Sequence, residues 1–137
     1  MPGNNHIKKC EGTLNLSRIL IIDDEPQIRD MLRELFEEEG YDVLTADNGE
    51  TGLRLCQERT VDLIITDLIM PEKEGIEVIR EIRKENPGAK IIAISGGGRI
   101  GPQSYLNCAQ KFGAQFVFKK PVASDELVNA VWMLLSQ

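Results

Sequence analysis

Four short apolar runs in this chain each stop on a polar, potentially reactive group. Ile19 to Ile22 ends on Asp23 and Asp24, Leu63 to Ile65 on Thr66 and Asp67, Ile91 to Ile94 on Ser95, and Phe116 to Phe118 on Lys119 and Lys120. Runs of this length without polar alternation read as strands buried on both faces, the mark of a parallel sheet covered by helices. The carboxyl ends of parallel strands share one edge, and in an open α/β sheet ligands bind in the crevice outside that edge. Carboxylates, a hydroxyl and an ammonium are therefore expected to converge on one site.

The segments between the runs have helical spacing. Pro26 suits a first helical position, and Ile28, Met31, Leu32, Leu35 and Phe36 recur at helical intervals as far as Gly40, a natural residue just past a helix end. Tyr41 to Ala46 reads as a strand, and Asn48 to Glu58 as a weaker helix with Leu53 and Cys56 inward. The strand Asp62 to Thr66 is followed by a turn at Met70-Pro71, then by a helix carrying Ile76, Val78, Ile79 and Ile82 that ends before Asn86-Pro87-Gly88. Lys90 to Ser95 is the fourth strand. A glycine-rich loop from Gly96 to Gly101 leads to a helix around Pro102 to Phe112, and Gln115 to Lys119 is the fifth strand. Ser124 is placed to cap a last helix bearing Leu127, Val128, Val131, Trp132 and Leu135. Trp132 and the methionines are expected in the core. Five strands alternating with five helices imply an α/β domain with a doubly wound five-stranded parallel sheet and right-handed crossovers.

Residues 1–17 mix Gly, Asn, Lys and Thr without periodicity and read as a flexible leader, with the domain proper at 18–137. No apolar stretch approaches the roughly 18 residues of a membrane span, and the two early lysines lack the apolar segment of a signal peptide. Cys10, Cys56 and Cys108 have neither metal-site nor redox-motif spacing and are odd in number, so a reducing cytoplasm is expected. A net charge of -6, with the acids spread through the helices, argues against nucleic acid as a partner.

Asp23, Asp24 and Asp67 on one sheet edge would repel one another, each pair at about 4 Å by roughly 4 kcal/mol before screening. A hard divalent cation with oxygen ligands relieves that crowding, and magnesium characteristically combines one or two carboxylates with waters and phosphate oxygens. One aspartate could then serve as a nucleophile that carries an acyl phosphate, while Ser95 and Lys120 suit stabilisation of phosphoryl oxygens. Plainer roles fit the same residues one at a time: Asp23 or Asp24 as a helix cap before Pro26, Asp67 in turn chemistry, Ser95 as a loop hydroxyl, Lys120 as a solvated cation.

Taken together, Ile21-Ile22-Asp23-Asp24-Glu25-Pro26, Asp67-Leu68-Ile69-Met70-Pro71 with Gly75, the strand-end Ser95, and Lys120-Pro121 resemble the receiver domain of two-component response regulators, the CheY-like family, over about residues 18–135. The resemblance implies a flavodoxin-like sheet of strand order 2-1-3-4-5. It implies that Asp67 accepts phosphate from a histidine kinase or histidine phosphotransfer protein, and that Asp23, Asp24, Asp67 and the carbonyl of Ile69 hold Mg2+. It further implies that Ser95 and Lys120 bind the phosphoryl group and that Lys120-Pro121 is cis. No enzymatic turnover beyond self-phosphorylation and self-dephosphorylation is expected, and no membrane or nucleic-acid partner.

Two other readings compete. A degenerate receiver would serve as an interaction module without phosphorylation. Gly96-Gly97-Gly98-Arg99-Ile100-Gly101 also formally matches a dinucleotide fingerprint, but on the fourth strand instead of the first, and with Lys119 and Lys120 where a ribose-binding acid belongs.

The chain also departs from the family. Many receivers carry an aromatic three residues before the lysine, and here that residue is Val117. Ile69 and Gly97 offer no polar group to orient an attacking water, so a long-lived phosphoryl group is expected. The last helix ends near Gln137, which leads to the expectation of a stand-alone receiver whose output is a protein contact. Ile28 and Met31 are the candidates on the first helix to face the phosphotransfer partner.

Overall fold

Strand β3 (Arg18–Ile22) is the centre of the fold, because each of its apolar residues is buried on one side of the sheet or the other. The computed structural model describes residues 7–10, 13–68, 75–96, 107, 110–111 and 113–137. The chain runs β1 (Ile7–Cys10), β2 (Thr13–Leu16), β3, α1 (Pro26–Glu38), β4 (Asp42–Ala46), α2 (Gly49–Glu58) and β5 (Leu63–Asp67). It continues through α3 (Gly75–Glu85), β6 (Ile91–Ser95), β7 (Phe116–Lys119) and α4 (Ser124–Leu135). The central sheet has the order β4-β3-β5-β6-β7 with all pairings parallel, which is 2-1-3-4-5 when its own strands are counted. The helix expected around Pro102 to Phe112, the Met70-Pro71 turn and Gly97 to Gly101 lie mostly or wholly outside the described residues.

Alternation along each strand sends side chains to two cores. Leu20, Ile22, Ile64, Ile91 and Ala93 meet Val78, Ile79 and Ile82 of α3, with Leu53 and Cys56 of α2 packed against them. Ile19, Ile21, Ile65, Ile92 and Ile94 meet Leu32 and Phe36 of α1 and Leu127, Val131 and Leu134 of α4. At roughly 25 cal/mol per Å² of apolar area removed from water, these two layers are the main favourable term in the fold. Helix α1 begins with Pro26 in its first turn and ends before Gly40, whose φ of 95° suits a residue without Cβ. Asn48 caps α2 by accepting a hydrogen bond from the Thr51 amide.

Several expectations are corrected. Within the segment read as a flexible leader, β1 and β2 pair as an antiparallel hairpin, with Ile7 opposite Leu16 and Cys10 opposite Thr13. Ser124 is the first residue of α4 and not its cap; Ala123 holds the cap position without a side-chain bond. Trp132 is half-buried and outside both cores, because Leu127, Ala130, Val131 and Leu134 form the inward stripe and Trp132 lies one residue, about 100°, past it. Met31 and Met133 are about half exposed (49% and 52%) instead of buried.

Candidate functional site

The register sets where each strand delivers its last residue. Ile22 pairs with Thr66, Asp67 with Ile94, and Ser95 with Lys119, so Asp23, Asp67, Ser95 and Lys120 emerge within two residue steps along the same edge. The backbone ladder continues past the strands: Asp23 N–H donates to the Ala46 carbonyl, Leu68 N–H to Ile94, and Lys120 N–H to Ser95. The site thus rests on extended sheet and not on free loops. The peptide bond Lys120-Pro121 is cis.

Two carboxylates are buried at this edge, Asp23 at 3% exposure and Asp67 at 6%. The Lys120 ammonium donates to Asp23 Oδ2 at 3.2 Å, to Asp67 Oδ2 at 3.2 Å and to Glu25 Oε1 at 3.1 Å. Its three donors match three acids. Asp23 Oδ1 accepts from the Glu25 amide at 2.9 Å, and Arg29 Nη1 donates to the Asp23 carbonyl at 2.9 Å. Helix α1 begins at Pro26 after Glu25, which holds the cap position without a side-chain bond, so neither Asp23 nor Asp24 serves as its cap.

The electrostatics are unbalanced. One carboxylate oxygen from each of Asp23, Asp24, Glu25 and Asp67 lies within 4.8 Å of the others, and among the described residues the Lys120 ammonium pairs with three of these acids. Burial raises the Asp23 pKa above its ordinary value, outweighing the Glu25 amide bond and the Lys120 charge that lower it. Burial would lower the Lys120 pKa, but the charges of Asp67 and Asp23 and its bonds to Glu25 and Asp67 carry it upward, so it stays charged.

The strand-end candidates are brought together as expected. Ser95 is fully buried at the end of β6, the strand paired with β5, and Ile69 lies outside the described residues. Glu25 is a site residue that the strand-end pattern does not single out; its signal is a third acid in the Asp23-Asp24-Glu25 run, and its partner Lys120 is 95 residues away. Two glycines allow close approach. A Cβ on Gly75 would collide with the Asp67 carbonyl and Leu68 Cα, and one on Gly96 would press on the Lys120 stem at 2.9 Å. Behind Lys120, a groove of about 420 Å³ is lined by Glu25, Ile28, Met31, Leu32, Pro121 and Val122 among others.

Val117 packs on the core beneath α2 and α3, whereas Phe116 and Phe118 pack on the core beneath α1 and α4. The two rings are parallel, with centroids 6.2 Å apart. Neither ring shares a sheet face with Val117.

The family model for the response regulator receiver domain matches residues 19–132. The chain belongs to that family. The receiver is 36% identical over 115 residues to the chemotaxis protein CheY of Thermotoga maritima, covering 83% of this chain and 93% of that protein. It is equally identical over 121 residues to the transcriptional regulatory protein GlrR of Escherichia coli, covering 88% of this chain but only 27% of the regulator. The chain therefore spans about a quarter of the transcriptional regulators GlrR and QseF that it matches. Among solved structures, a receiver domain protein from Clostridium thermocellum superposes with a TM-score of 0.81 at 35% identity, covering 88% of this chain and 95% of that one. The response regulator TrrA of Thermotoga maritima, solved in complex with Mg2+ and beryllofluoride, gives 0.75 at 38% identity, covering 87% and 99%. The receiver's sheet order agrees with the flavodoxin-like expectation. Among the described residues no helix is long and apolar enough to cross a membrane.

Proposed function

We propose that this receiver accepts a phosphoryl group on Asp67 from a phosphohistidine of a partner kinase or phosphotransfer protein, and signals through altered protein contacts in the cytoplasm. The observation that carries the reading is the Lys120 ammonium, held 3.2 Å from the buried Asp67 carboxylate in a site with an excess of acids. In the transfer an Asp67 carboxylate oxygen attacks phosphorus. The P–O bond forms as the P–N bond breaks, and the imidazole leaves with the electron pair and takes a proton from solvent. Lys120 stabilises the charge on the phosphoryl oxygens, and the Ser95 hydroxyl donates to one of them.

The donor set fits magnesium: four hard carboxylates within 4.8 Å of one another, two of them buried. Asp23, Asp24 and Asp67 would hold the ion, with the Ile69 carbonyl as the resemblance implies. A bound ion would neutralise the crowded acids and the phosphoryl oxygens. The chain acts on its own aspartate and is read as an acceptor, not as an enzyme with a separate substrate. The groove at Ile28 and Met31 beside Lys120 is a fitting place for the donor's helix, being apolar and adjoining the acceptor.

Incubation with acetyl phosphate and magnesium should add one phosphoryl mass to the chain, and Asp67→Asn should abolish the gain in an intact-mass measurement. A wild-type chain that gains no mass would instead be the degenerate interaction module.

A further inference from the structure

Lys120 has no donor to spare. Its three N–H groups face three carboxylates at almost equal distance, so any phosphoryl oxygen it engages must displace one of them. The three acids are not equally easy to leave. The Asp23 side chain is 5% exposed, and a buried carboxylate deprived of its partner cation is costly, while Asp67 is itself the reacting group, so Lys120 must stay beside it to meet the phosphoryl oxygens. The Glu25 side chain is 60% exposed and water can replace the lysine there at little cost. Gly96 adds a geometric point, since its lack of a Cβ leaves room for the Lys120 stem to lie against the backbone just past β6. The ammonium can therefore exchange partners while its stem stays in place.

We infer that Glu25 is a positioning residue that shares Lys120 with the acceptor aspartate before phosphorylation and is the partner released when Lys120 turns to the phosphoryl group. This rests on the receiver reading above and adds to it a residue that sets the balance between the two states. Glu25 opposes the phosphorylated state by competing for its counter-cation. Removing its charge should free Lys120 and favour phosphorylation.

Two measurements on the full chain test this. In the phosphate-free protein, Glu25→Gln should shift the 15N resonance of the Lys120 ammonium, and an unchanged resonance would overturn the pairing. With acetyl phosphate at saturating magnesium, Glu25→Gln should raise the rate of Asp67 phosphorylation about twofold to fivefold, the range open to an exposed ion pair. The same substitution in a Lys120→Ala background should have no effect. An equal gain in both backgrounds would mean that Glu25 acts only as a charge that repels the anionic donor, and no gain in either would mean that it does not hold the lysine. Either result overturns the proposal while leaving the receiver reading intact. A wild-type chain that takes no phosphate, with the resonance shift present, fails the receiver reading and removes the exchange with it.

Discussion

The two ends of the central sheet solve opposite electrostatic problems. At the amino-terminal end the charges are matched. Arg18 donates through Nε to Asp42 at 2.6 Å, its amide donates to Asp62 at 2.7 Å, and Arg83 spans the Pro87 and Gly113 carbonyls at 2.6 Å each. Gln115 fills the remaining gap by donating to the Ala89 carbonyl and accepting from the Ile91 amide. At the carboxyl-terminal end, four carboxylates crowd one ammonium among the described residues. One end is internally paired, and the other holds its acids close together. That separation lets a small domain carry an unfavourable site, because the strain at one edge is countered by clamps and core elsewhere.

The contrast can be broken most severely at Gly75. A methyl there meets backbone of Asp67 and Leu68, which no rotamer change relieves, so Gly75→Ala should cost roughly 3 kcal/mol in urea unfolding. A loss under 1 kcal/mol would show that α3 can withdraw from β5. Next comes the matched end. Arg83→Ala leaves two carbonyls without their charged donor and should cost about 2 kcal/mol; an unchanged midpoint would mean that water replaces the guanidinium and the clamp is not a source of stability.

The smallest effect has the opposite sign. The Asp23 pKa is raised in the folded protein, so folding favours its protonated form. Its contribution is most favourable below the ordinary carboxylate value of 3.8 and is lost as pH rises through the higher folded value. In chelator at pH 7, Asp23→Asn should therefore stabilise the chain by on the order of 1 kcal/mol, well below the unscreened repulsion of a close carboxylate pair. At pH 3 the gain should vanish. A variant less stable than wild type at pH 7 would place the Lys120 pair above the crowding in importance.

What the sequence made legible followed from burial. Ile19 to Ile22 and Ile91 to Ile94 are apolar on both faces, so they announced themselves as central strands, and their last residues announced the site. Glu25 was not legible as a partner of Lys120, because its exposed side chain gives no pattern and the contact spans the whole fold. The Arg83 clamp was hidden for the same reason: a helical arginine on a half-exposed position looks like any solvated charge until Gly113 and Pro87 are brought beneath it. Trp132 misled through size, since its neighbour Val131 takes the inward angle. The β1-β2 hairpin has no Asn-Gly or Asp-Gly turn signal and no clean alternation to reveal it.

Strand β7 divides its side chains by parity. Val117 belongs to one side of the sheet and Phe116 and Phe118 to the other, so no torsion of either ring can carry it through the strand to the Val117 face. Only a one-residue slip of β7 would exchange the sides, and that would break its pairing with Ile92, Ala93, Ile94 and Ser95 together. In this chain the stacked rings therefore lie across the sheet from Ala93 and Val117, and Ser95, two residues past Ala93 on β6, has the parity of that opposite face.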